Sequence, residues 1–149
     1  MNQHIKDIIS KIIPFFNETI NAVETTHRND IGVDIINFRM SEDSVLLHKD
    51  AELLKALNIL TKAIVLQKES EQSHVLIDVN NYYFHYIEDL KKATQEMIEK
   101  VKKTNNPVTL PPQNSFDRML VHHFVTEDQG VVSTSEGEGY ERHIVISLK

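Results

Sequence analysis

An α+β fold in two small parts is what this sequence predicts, and three observations carry it. Apolar residues recur at helical spacing in several stretches, and β-branched residues gather in short runs between them. The breakers Asn105-Asn106-Pro107 and Pro111-Pro112 interrupt that pattern late in the chain. A length of 149 residues accommodates one ordinary domain or two small ones. Hydrophobic content of 40% supplies a core, and two small halves gain from a shared element.

The elements follow in order. Ile5, Ile8, Ile9 and Ile12 share one face of a first helix, which Pro14 stops. Glu18 to Arg28, with Thr19, Ile20, Val23, Thr25 and Thr26, reads as a strand. Asn29-Asp30 and Gly32 mark a turn, and Val33 to Met40 reads as a second strand. Leu53, Leu57, Leu60 and Ile64 predict an amphipathic helix with those four on its buried face. Val75, Ile77 and Val79 alternate as a third strand. A long helix from Tyr82 to Lys103 turns Ile87, Leu90, Thr94, Met97, Ile98 and Val101 inward, packed by Tyr82, Tyr83 and Tyr86. The organisation expected is an N-terminal domain over 1–80, a connecting helix over 81–104 and a C-terminal domain over 105–149.

Charge and composition narrow the function classes. The net charge is −6, distributed as −4 over 1–80, +1 over 81–104 and −3 over 105–149. Phosphate neutralisation dominates non-specific nucleic-acid affinity, so a mildly acidic chain binds such ligands weakly except at a local basic edge. Lys100, Lys102 and Lys103 end the long helix, where cations also complement the helix dipole. The absence of cysteine rules out disulfides, thiolate metal sites and cysteine nucleophiles, and fits a reducing compartment. No apolar run approaches the roughly 18 residues of a membrane span. Asp7 and Lys11 interrupt the first apolar stretch, against a secretory signal. His122 and His123 point about 100° apart on a helix, and the remaining histidines lack metal-ligand spacing. Glu136-Gly137-Glu138-Gly139 lacks the lysine of a phosphate loop and reads as a turn between strands. No acid/base pair or nucleophile constellation predicts an enzyme, and no cofactor is expected.

The stretch from Asn114 to Phe124 is the most informative. Phe116, Leu120 and Phe124 make an apolar stripe. Arg118 and His122, also four apart, fall roughly opposite it and are expected to be exposed. Asn114 or Ser115 supplies an N-cap, with Asp117 in the capping-box position. A guanidinium suits a phosphate or base edge, and an imidazole stacks on a base or donates a hydrogen bond. Arg-x-x-x-His alone arises by chance roughly 0.2 times in this composition, so a solvated pair is the simple alternative. The context outweighs it. Ser135-Glu136-Gly137 follows as a turn, and Arg142-His143-Ile144-Val145-Ile146-Ser147-Leu148 follows as a strand with a basic start.

This ordered set, over roughly 105 to 149, resembles the R-three-H domain, a small single-stranded nucleic-acid-binding domain named for its Arg-x-x-x-His motif. The earlier elements resemble a type II KH domain. Asp78-Val79-Asn80-Asn81-Tyr82-Tyr83 is similar to the joint of the bacterial Jag family, which places a type II KH domain before an R-three-H domain. The resemblance implies a KH-like α/β sandwich and an R-three-H α/β domain joined by the long helix. It implies single-stranded RNA, ahead of DNA, as ligand in the bacterial cytoplasm, and a small KH-domain protein as a partner. Arg118 and His122 would carry the contact, and Arg142 and His143 would complete a basic surface. Lys103 at the helix end and Lys49 in the KH-like loop are further candidates for a phosphate contact. Many members carry a further N-terminal domain, which has no counterpart in these residues.

One departure from the family pattern is large. A nucleic-acid-binding KH domain has a Gly-x-x-Gly loop, whose glycines let the backbone approach phosphates. Here the loop is His48-Lys49-Asp50-Ala51, without glycine and with a carboxylate. The KH-like half is therefore expected to act as a scaffold or interaction surface. A protein-interaction module that has lost nucleic-acid binding is the leading alternative for the whole chain.

Overall fold

The computed structural model describes residues 2–68 and 74–149. It divides into two units, Met1–Phe84 and His85–Lys149, each built on its own three-stranded sheet.

In the first unit, α1 (Asn2–Ile12) buries Ile5 and Ile9, and Pro14 enters a short 3-10 turn that ends the helix. β1 (Ala22–Arg28) pairs antiparallel with β2 (Val33–Arg39), which pairs parallel with β3 (His74–Val79). β1 begins at Ala22 rather than Glu18, whose carboxylate instead accepts the Val45 N–H at 2.6 Å. β2 lies in the middle and buries Val33, Ile35, Ile36 and Phe38, the near-continuous apolar run of a central strand.

The helix α2 (His48–Lys68) departs from expectation twice. Its first residues Lys49, Asp50 and Ala51 have φ of 48°, 55° and 58°, a left-handed run that costs non-glycine residues about 1–2 kcal/mol each. The loop thus has a backbone that glycine would adopt without that cost. Its buried face is Leu54, Leu57 and Thr61, whereas Leu60, expected inside, is 44% exposed and Leu53 and Ile64 are half-buried. The reason is Asn58. Its amide donates to the Ile77 carbonyl at 2.9 Å and accepts the Ile77 N–H at 2.7 Å, completing the outer edge of β3. That polar anchor rotates the helix by roughly a quarter turn from the Leu53/Leu60 face.

Asp78, at the end of β3, starts the next helix. Its Oδ1 accepts the Val79 and Tyr83 N–H groups at 2.8 and 2.9 Å, and its Oδ2 accepts that of Phe84 at 3.2 Å. Burial pushes its carboxyl above the usual carboxylate value against those hydrogen bonds. Asn80 and Asn81 make the intervening left-handed turn at φ 51° and 64°. These contacts give the Asp78-to-Tyr83 joint its physical logic. α3 (Tyr82–Thr104) follows, with Ile87, Thr94, Ile98 and Val101 buried as the spacing predicts.

In the second unit, β4 (Val108–Thr109) and β5 (Val131–Glu136) both pair antiparallel with β6 (His143–Leu148), in the order β4-β6-β5. Ile98 and Val101 of α3 pack with Val121 and Val125 of α4 (Ser115–Thr126) and with Val131, Ile144 and Ile146 of the sheet. The long helix therefore supplies part of this unit's core.

Candidate nucleic-acid interface

α4 begins as its sequence predicts. Asn114 Oδ1 accepts the Asp117 N–H at 2.9 Å, and Asn114 Nδ2 donates to Asp117 Oδ2 at 2.7 Å. Its buried face is Asp117, Leu120, Val121, Phe124 and Val125, broader than the Phe116/Leu120/Phe124 stripe and rotated towards Val121 and Val125. Arg118 and His122 consequently lie on the flank of the packed face, half-buried, rather than opposite it and exposed. Val121 and Val125 win because the Val131/Ile144/Ile146 core takes them in.

The flank position brings β5 within reach. His122 Nδ1 lies 2.7 Å from Ser133 Oγ, a hydrogen bond that fixes the imidazole plane. Arg142, in the chain just before β6, donates from Nε to Ser135 Oγ at 2.9 Å. Ser133 and Ser135 oppose Ile146 and Ile144 in the ladder, so both serines point to the side of the sheet that the helices cover. Gln113 ties the arginines together through its backbone. Its carbonyl accepts from Arg118 Nη1 at 2.5 Å, and its N–H donates to the Arg142 carbonyl at 3.0 Å. Serine spacing on β5 was the available signal for Ser133 and Ser135; Gln113 acts through backbone atoms, which no residue pattern announces.

Both guanidinium groups act electrostatically on the ring between them. His122 is held below its usual value of 6.5, first by burial and then by Arg118 and Arg142. Among the described residues, neither arginine forms an ion pair; each is held by an uncharged oxygen. Two lysines of the same unit are neutralised instead. Lys102 pairs with Asp128 at 2.5 Å and Lys91 with Glu127 at 3.2 Å. The site is an unneutralised cationic pair around a neutral imidazole, with N–H donors to spare, an arrangement that suits an anion with several oxygens.

The R-three-H domain family matches residues 88–148. A Clostridium symbiosum protein named RNA-binding protein KhpB is 32% identical over 147 residues, spanning 93% of this chain and 65% of the relative. Proteins of the same name from Streptococcus pneumoniae and Bacillus subtilis are 26% and 29% identical over 152 and 108 residues. Those alignments span 99% and 71% of this chain and 46% and 52% of the relatives. The chain is similar to proteins of the KhpB (Jag) family along most of its length. It spans between about half and two thirds of the length of these KhpB relatives.

In this KhpB-like chain, His143 and Lys103 stand apart from the arginine pair. His143 pairs with Glu136 in the ladder and alternates with Ile144, which places it on the face of the sheet opposite Ser135. Its Nδ1 lies 2.8 Å from the Glu141 carbonyl. Lys103 sits on α3 beside a shallow hollow lined by Gln95, Glu96, Glu99, Lys100 and Thr104. Its neighbour Lys102, through Asp128, marks the Val131 end of β5, roughly 14 Å along the strand from Ser135. Lys49 belongs to the first unit, in the left-handed run beside Asp50.

Proposed function

We propose that this chain binds single-stranded nucleic acid, RNA ahead of DNA, through the α4–β5 side of its R-three-H domain. The carrying observation is the pair Arg118 and Arg142, held 2.5 and 2.9 Å from uncharged oxygens and, among the described residues, lacking a carboxylate partner. The remaining guanidinium donors would take phosphate oxygens, and His122, oriented by Ser133, would present its other ring nitrogen to the same strand. The relatives' name, RNA-binding protein KhpB, favours RNA. Among the described residues, no helix is long and apolar enough to cross a membrane. The role is recognition without chemistry, in the cytoplasm where such a ligand is met.

The KH-like half would serve as a scaffold or a surface for a small KH-domain partner. Ile59 and Leu60 on α2, 73% and 44% exposed, favour that interaction role for the first unit. They do not bear on the arginine site.

The test is fluorescence anisotropy of a labelled mixed-sequence single-stranded RNA, with wild type and the Arg118→Ala/His122→Ala variant. Micromolar or tighter binding is expected, lost in the variant, with a shallow salt slope on the order of two to four phosphate contacts. Equal binding by both proteins sinks the site, and no binding by wild type sinks the function.

A further inference from the structure

We infer that Tyr140 is a base-stacking platform, making the cationic site one that holds a phosphate and an adjacent unstacked base together. The inference rests on the single-strand-binding reading above and adds a residue and a ligand group to it.

Tyr140 is 101% exposed, beyond Phe15 at 88% and every other large hydrophobic residue described. Its ring packs on no other aromatic and its hydroxyl meets no partner among the described residues. A lone exposed apolar residue is ordinary in itself. The place of this one is not.

Tyr140 occupies the short 3-10 turn Gly139–Glu141 between β5 and β6, two residues before Arg142. The turn is tight. The Glu141 N–H donates to the Glu138 carbonyl at 3.1 Å, and Gly137 passes so near the Glu141 carbonyl that a Cβ there would meet it at 2.8 Å. Arg142 is fixed from the other side by Ser135. The aromatic is therefore carried on a settled backbone at most about 7 Å along the chain from the guanidinium-bearing residue. Only the two torsions of a tyrosine side chain remain to be ordered on stacking.

Charge sets the direction of the ligand. Glu136, Glu138 and Glu141 surround the tip, and all three are exposed. These carboxylates repel a phosphate and have no quarrel with a neutral base face. The sugar-phosphate backbone is confined to the Arg118/Arg142 side, and what reaches the tip is a base. Every base offers a π-face, so stacking on Tyr140 tolerates sequence.

The experiment compares wild type and Tyr140→Ala on a single-stranded RNA and on an abasic strand of the same length. Because Tyr140 is fully exposed and unpacked among the described residues, the alanine variant folds as wild type does. Expected is an RNA affinity about five- to 150-fold weaker for Tyr140→Ala, with equal affinities for the abasic strand. Tyr140→Trp adds a direct readout, since the chain has no tryptophan: its fluorescence should be quenched by RNA and unchanged by the abasic strand. Equal RNA affinities, with Arg118→Ala/His122→Ala still defective, overturn the stacking role and leave the function standing. An equal loss on both strands overturns it too, assigning Tyr140 to the backbone. Failure of wild type to bind RNA removes both readings.

Discussion

His122 of α4 and Ser133 of β5 are joined by a 2.7 Å hydrogen bond that spans the helix–sheet junction of the C-terminal unit. The bond converts a motif written on one helix into a site built on two elements. It holds the imidazole at the half-buried position where burial and the two arginines lower its pKa.

Removing that partner should loosen the ring without unfolding the domain. Ser133→Ala loses one hydrogen bond worth about 1 kcal/mol, so RNA affinity should fall roughly fivefold. Anisotropy titration checks this, with a thermal melt to show that the fold is intact. An unchanged affinity would mean that Ser133 does not orient the imidazole for binding.

The depressed His122 pKa has two consequences of opposite sign. The unfolded chain takes a proton near pH 6.5 before the folded one does, so this residue's contribution to stability is present above that pH and is lost as pH falls through the lower folded value. An anionic ligand, in contrast, favours the imidazolium, so affinity for RNA should rise as pH drops below 6.5. Arg118→Ala removes one of the two like charges and should move the His122 titration upward. A histidine NMR titration of wild type and variant tests it; an unmoved midpoint would show that the arginine does not act on the ring.

The turn that carries Arg142 should discriminate between its glycines. Gly137 has φ +79° and a Cβ there would meet the Glu141 carbonyl at 2.8 Å; Gly139 has φ +54° with open space around it. Gly139→Ala should cost about 1 kcal/mol through its backbone alone. Gly137→Ala adds a clash with backbone, so it should cost about 2 kcal/mol or more and weaken RNA binding by shifting Arg142. Chemical denaturation of both variants measures the order, and a reversed order refutes the geometry of the turn.

Asp78 should matter to the first unit far more than a lone carboxylate normally does. It accepts three backbone N–H groups, at 2.8, 2.9 and 3.2 Å, and is 1% exposed. Asp78→Ala leaves those donors without their acceptor and should destabilise by about 3 kcal/mol. Asp78→Asn keeps one acceptor oxygen and should cost less. If denaturation midpoints of the two variants coincide with wild type, the cap does not hold α3.

What the sequence determined by itself is local. Periodicity located the helices, β-branched runs the strands, and Asn114 with Asp117 the start of α4. The four-residue spacing of Arg118 and His122 guaranteed a shared side of that helix. Which side it would be was a tertiary matter. The Phe116/Leu120/Phe124 stripe set one direction for the apolar face, and the Val131/Ile144/Ile146 core turned it towards Val121. On α2 the Asn58–Ile77 hydrogen bonds likewise overruled a cleaner leucine stripe. The serines that hold His122 and Arg142 come from β5, and Gln113 joins the arginines through its peptide group. These partners are distant along the chain or made of backbone, so side-chain spacing carries no record of them. Helical spacing fixes which residues travel together; only packing against a second element decides the rotation, and with it which cations are left for a ligand.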